Sequence, residues 1–122
     1  MNPRISRIGR ADFSRIMATG GRISAPLISM RYLPSPDQKK ASAAVVVAKK
    51  VISTAVGRNT LRRRAFASFR ALSKLPGFSK SPTAIFFFQK LPLDEKKKPI
   101  LVSSHEIRKE MEFLLRKAGF MR

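Results

Sequence analysis

The chain contains no cysteine, which excludes disulfide bridges and thiolate-held metal sites. Acids are scarce, seven Asp and Glu against 26 Lys and Arg in 122 residues. A protein nuclease needs clustered carboxylates for metals or paired proton-transfer groups. The single histidine, His105, stands beside Glu106 where a helix is expected to begin, which suits a surface histidine near a cap. Glu106 and Glu110 share a helical face and are read as salt-bridge partners. There is no Gly-rich phosphate loop and no nucleophile–base pair, so no catalytic residue is expected in this chain, and no metal-ligating residue is singled out. The longest apolar runs, residues 43–48 and 84–88, are far too short to cross a bilayer. No long apolar run opens the chain, so no secretory signal is read and a cytoplasmic location is expected.

What the chain has in abundance is positive charge. The formal net charge is +19 and the sequence pI about 11.8. A folded domain so basic repels itself and calls for an anionic partner, nucleic acid first and an anionic membrane surface second. The charge is also unevenly placed. The acids are Asp12, Asp37, Asp94, Glu95, Glu106, Glu110 and Glu112, and between Gln38 and Leu93 there are twelve Lys and Arg with no acid among them. A merely solvated surface mixes both signs, so the middle of the chain is the expected electrostatic footprint. With 43% hydrophobic residues a modest core can form, and the length suits one domain over residues 1–122.

Periodicity gives the order of elements. Residues 1–9 are basic and expected to be extended. A short helix is expected over residues 11–18, with Phe13, Ile16 and Met17 at helical spacing and Gly20-Gly21 ending it. Residues 23–33 have β character, broken near Pro26, and "PSPDQKK" at 34–40 is turn chemistry. "ASAAVVVAKK" reads as a buried strand ending on Lys49 and Lys50. Residues 53–74 read as the longest helix, capped by Ser53 or Thr54, with Leu61, Ala65, Phe69 and Leu72 on one stripe and Arg63, Arg70 and Lys74 opposite. Residues 75–82 read as a loop, "TAIFFFQK" as a second central strand, and residues 91–102 as a loop with a charge run. "SSHE" at 103–106 fits a capping box before a final helix that Gly119 ends. Glu112 and Arg116 are spaced for an i,i+4 pair. The architecture expected is α+β: a small mixed sheet packed with helices, in the order α-β-β-β-α-β-α, with a βαβ crossover through the long helix.

The stretch "TAVGRNTLRRRAF" holds four arginines within seven residues. Arginine presents a rigid fork of donors that matches phosphate oxygens in pairs. Asn59 adds an amide suited to a base edge or a sugar hydroxyl, and the helix N-terminus adds its own partial positive charge. These groups together favour a folded RNA or DNA backbone.

The longer stretch "AKKVISTAVGRNTLRRRAF" resembles the signature of the bacterial ribonuclease P protein component. Lys49 and Lys50 match that family's lysine pair, Ala55 and Val56 its Ala-Val, Arg58 and Asn59 its Arg-Asn core, Leu61 its aliphatic position, and Arg62 and Arg63 its basic pair. Asp12, Phe13 and Gly20 match features of the family's first helix, and the resemblance covers nearly the whole chain. Two positions depart. Thr60 stands where the family has an arginine directly after the Asn, and Phe66 replaces a further arginine, while Arg64 lies one turn on from Thr60.

The resemblance implies a fold like the second domain of ribosomal protein S5, with a left-handed βαβ crossover. It implies a protein subunit of ribonuclease P, which removes the 5′ leader from precursor tRNA, with the chemistry performed by an RNA subunit using magnesium ions held mainly by RNA. Carried over to this chain, Arg58, Asn59, Arg62 and Arg63 contact the catalytic RNA, joined by Lys49, Lys50 and Arg64. The leader then lies between the first helix and the sheet, against Phe13 and Met17 and against Met30, Arg31 or Tyr32. The implied partners are ribonuclease P RNA and precursor tRNA, and no protein partner or membrane. A ribosomal-type, non-catalytic RNA-binding protein on the same fold is the alternative reading. A DNA-binding or membrane-surface protein is a third, disfavoured because no basic helix here carries a large bare apolar face and no helix-turn-helix is evident.

Overall fold

The computed structural model describes residues 5–7, 10–34, 41–75 and 82–121. Its elements are β1 (Ile5–Arg7), α1 (Arg10–Thr19), β2 (Gly21–Ser24), β3 (Ile28–Pro34), β4 (Ala41–Val47), α2 (Ala55–Ser73), β5 (Pro82–Phe88) and α3 (Ser104–Ala118). From α1 onward the order is the α-β-β-β-α-β-α expected. The basic N-terminal segment, expected only to be extended, contributes one strand more. β1 pairs parallel with β4, Ile5 opposite Ala41. The turn residues 35–40 and most of the loop 75–82 lie outside the described residues.

The five strands form one sheet in the order β1-β4-β5-β3-β2. β4 and β5 are parallel and joined through α2, while β3 is antiparallel to both β5 and β2. The break between β2 and β3 falls where Pro26 suggested. Ala25 N–H donates to the Ile28 carbonyl at 2.8 Å, and Gln89 Nε2 donates to the Ala25 carbonyl at 2.9 Å.

Side chains alternate across a strand, and the register sorts them onto two faces. Toward α2 and α3 point Met30, Tyr32, Val45, Val47, Phe86 and Phe88. They meet the helical stripes read from the sequence. Leu61, Ala65, Phe69 and Leu72 of α2 are fully buried, as are Ile107, Met111, Leu114 and Leu115 of α3. The Phe69 and Phe86 rings lie 5.6 Å apart. Each large side chain so enclosed contributes about 1.5–3 kcal/mol of transfer free energy. The other face carries Ser29, Arg31, Val46 and Phe87, and α1 packs against β3 there.

The helix ends are chemically built. Thr54 Oγ1 accepts from Gly57 N–H at 3.2 Å, and Ser103 Oγ accepts from Glu106 N–H at 3.2 Å. Gly119 closes α3 with φ 91°, the left-handed region that glycine enters without a steric cost. Arg116 and Glu112 form the expected ion pair at 3.0 Å. Glu110 ties α3 to the β2–β3 turn, its carboxylate accepting from Leu27 N–H at 2.9 Å and Ile28 N–H at 3.0 Å. Among the described residues no helix is long and apolar enough to cross a membrane.

Candidate nucleic-acid interface

An α-helix turns about 100° per residue, so consecutive Arg62, Arg63 and Arg64 cannot share one direction. Arg63 is exposed on the outer face of α2, one turn from the exposed Asn59 and opposite the buried stripe. Val56 continues that face toward the helix start and is 78% exposed.

Arg58 and Arg62 are half-buried along one flank. Arg58 also bonds inward, its Nη1 donating to the Ile52 carbonyl at 3.1 Å and the Ser53 carbonyl at 2.8 Å. It thereby ties the loop entering α2 to the helix. The loop comes in so tightly that a Cβ at Gly57 would overlap Ile52 Cδ1 and lie 2.8 Å from Thr54 Oγ1. Arg64 lies on the opposite flank, and its Nη1 donates to the Val102 carbonyl at 2.7 Å, fastening α2 to the segment before α3. Each guanidinium keeps further N–H donors beyond the one so used. Thr60 donates its hydroxyl to the Val56 carbonyl at 2.9 Å.

Lys49 and Lys50 are exposed, but β4 ends at Val47, short of the expected strand end. The two lysines ride on a turn in which Val51 N–H donates to the Ala48 carbonyl at 3.0 Å. Lys50 reaches the rim of a cleft on the other face of the sheet.

That cleft, about 410 Å³, lies between α1 and the face of the sheet opposite α2 and α3. Met17 and Arg31, both expected there, line it. Arg31 Nη1 also donates to the Met17 carbonyl at 2.9 Å, which joins β3 to the last turns of α1. Phe13 is half-buried on α1 one turn before Met17 and is not among the cleft's lining residues.

The expectation for Met30 and Tyr32 fails. Both flank Arg31 in β3, so the pleat turns them to the opposite face. Met30 is fully buried in the core, and the Tyr32 ring packs edge-on against Phe120 with centroids 5.4 Å apart. In their place the cleft has Arg22, Ser29, Val46 and Phe87. Phe87 was hidden in sequence because β5 is apolar on both faces. Period-2 alternation anchored on a known core residue would have found it.

The cleft therefore combines a flat ring, aliphatic walls and three cations, Arg22, Arg31 and Lys50. Such a set can stack bases while holding their phosphates. His105 is exposed on the first turn of α3. Among the described residues no three His, Cys, Asp or Glu come together as a metal site would need.

Compared with known proteins, the chain matches the family model of ribonuclease P over residues 3–119. No curated protein matches it. Its fold is similar to solved structures of the RNase P protein of Staphylococcus aureus. One has a TM-score of 0.75 at 19% identity, covering 98% of this chain and 100% of that one. Another has a TM-score of 0.67 at 18% identity, covering 100% and 95%. A mutant of the S. aureus protein with defective mRNA degradation activity gives 0.72 at 20% identity, covering 92% and 86%. At these identities the likeness to the solved structures is one of fold.

Proposed function

The chain belongs to the ribonuclease P family, and from that premise we propose how it divides its work between two RNA surfaces. It is a protein component of the ribonuclease P ribonucleoprotein in tRNA processing, and its partner is the ribonuclease P RNA. The ribosomal-type alternative is not favoured. The proposal is that α2 and its flanks dock the RNA subunit, while the cleft under α1 holds the single-stranded 5′ leader of precursor tRNA. The observation that carries it is the cleft itself: Phe87 between aliphatic walls, ringed by Arg22, Arg31 and Lys50, on the sheet face opposite α2.

The physical logic is charge and position. Two polyanions, the RNA subunit and its substrate, repel each other. A protein of net charge +19 placed between them lowers that repulsion and releases counterions from both. Stacking on a flat ring is sequence-tolerant because every base has a π-face, which suits leaders of differing sequence. Catalysis in this proposal belongs to the RNA. Magnesium belongs there too, since guanidinium and ammonium groups offer no oxygen ligands to a hard cation and the two surfaces are built from them. The work is proposed to take place in the cytoplasm.

The test is precursor-tRNA cleavage by the organism's ribonuclease P RNA at low magnesium, with a leader of natural length and with one cut to a stub. The protein is expected to raise kcat/KM more for the long leader. Equal gains for both substrates would remove the leader from the cleft.

A further inference from the structure

Residues 92–101, between β5 and α3, read in sequence as a loop with a charge run, yet they form a built turn. Leu93 and Pro99 form an antiparallel bridge, and Ile100 N–H donates to the Pro92 carbonyl at 2.8 Å. Asp94 organises the tip. Its Oδ1 accepts from Lys96 N–H at 2.8 Å and Lys98 N–H at 2.9 Å, while its backbone exchanges bonds with Lys97 and Lys98 at 2.9 Å. Asp94 is the carboxylate that holds the turn, and Glu95, Lys96, Lys97 and Lys98 are all exposed around it, three cations to one remaining acid.

Three further features separate this turn from a solvated charge run. Lys97 has φ 63°, a left-handed conformation that Gly or Asn enters at lower cost and that tends to persist where a site has a use for it. The flanks expose Leu93 (58%), Ile100 (43%) and Leu101 (36%), a neighbouring aliphatic set that gains from being covered. The base of the turn is fastened to α2, through Arg64 Nη1 on the Val102 carbonyl and Ser68 Oγ on the Ser104 carbonyl at 3.4 Å. It therefore stands beside the RNA-docking helix, and none of its residues lines the cleft under α1.

We propose that the Leu93–Pro99 turn is an additional docking element for the ribonuclease P RNA, its lysines binding backbone phosphates and its aliphatic flank resting against the RNA surface. The proposal builds on the subunit role given above. Because the backbone at the tip is already fixed, its lysines reach phosphates with less ordering cost than a free loop would incur.

The test measures binding of the full chain to the organism's ribonuclease P RNA across a salt series. Lys97→Gln/Lys98→Gln is compared with Lys109→Gln/Lys117→Gln, which removes the same charge from exposed positions on α3. The first pair is expected to lower the salt slope by about one to two and weaken binding roughly ten-fold at moderate salt; the α3 pair stays near the parent. Asp94→Ala is the sharper variant, because it makes the chain one unit more positive. Charge alone predicts tighter binding, whereas loss of the built turn predicts binding weaker by several-fold. Lys97→Gly relieves the φ strain, so it is expected to bind RNA less well at equal or higher thermal stability. Asp94→Ala binding as tightly as the parent or tighter, or the two lysine pairs behaving alike, would overturn the proposal. A parent protein that fails to bind this RNA would overturn the subunit role itself, which is a distinct outcome.

Discussion

Arg58 and Arg63 lie five residues apart on α2 and do different things. Arg63 projects from the outer face with no described partner, whereas Arg58 spends one nitrogen on the Ile52 and Ser53 carbonyls. Arg63→Ala is expected to weaken binding to the RNA subunit while leaving stability within about 0.5 kcal/mol, as exposed positions usually do. Arg58→Ala is expected to weaken RNA binding and also to lower stability by about 1 kcal/mol, the usual net value of such a bond. RNA titrations paired with urea unfolding of both variants separate the two effects. In the cleft, Phe87→Ala is expected to reduce affinity for precursor tRNA by about 1–3 kcal/mol, the range for one lost base stack, and to leave mature tRNA unaffected. An equal loss for both ligands would mean that the ring does not touch the leader. The arginine cluster was legible because residue type and spacing alone carry its chemistry. The division of labour within it was not, since it depends on where carbonyls 52, 53 and 102 come to rest.

At the scale of elements, α3 is positioned by one carboxylate. Glu110 accepts two backbone N–H groups of the β2–β3 turn, and bonds to a charged group contribute more than neutral ones. Glu110→Ala is expected to cost about 2–3 kcal/mol in urea unfolding, with Glu110→Gln recovering part of it because the amide oxygen still accepts. The sequence suggested a salt-bridge partner at this position, since nothing local announces that Leu27 and Ile28 will arrive with free N–H groups. The helices themselves were plain, because their apolar stripes and caps repeat within a few residues. Strand β1 was not, because three residues gain their strand character only by pairing with residues 41–43. The faces of β3 and β5 were recoverable in principle. Met30 and Tyr32 cannot share a face with Arg31, and applying that alternation would have replaced them with Ser29 and Phe87.

For the whole molecule, the fold places the arginine-bearing helix α2 on one side of a sheet and a cleft of about 410 Å³ on the other. Few acids oppose the positive field, so binding to the RNA subunit is expected to weaken steeply with salt, roughly 0.7–0.9 in logarithmic slope for each phosphate contacted. The central claim is that both sides are used at once. The most direct test is cleavage of precursor tRNA at low magnesium by the organism's ribonuclease P RNA, with long and stub leaders, using the parent protein, Arg63→Ala and Phe87→Ala. The account predicts that Arg63→Ala needs more protein to reach the parent rate on either substrate, while Phe87→Ala loses only the advantage of the long leader. A Phe87→Ala protein that keeps that advantage in full, or a parent that gives none, would contradict it.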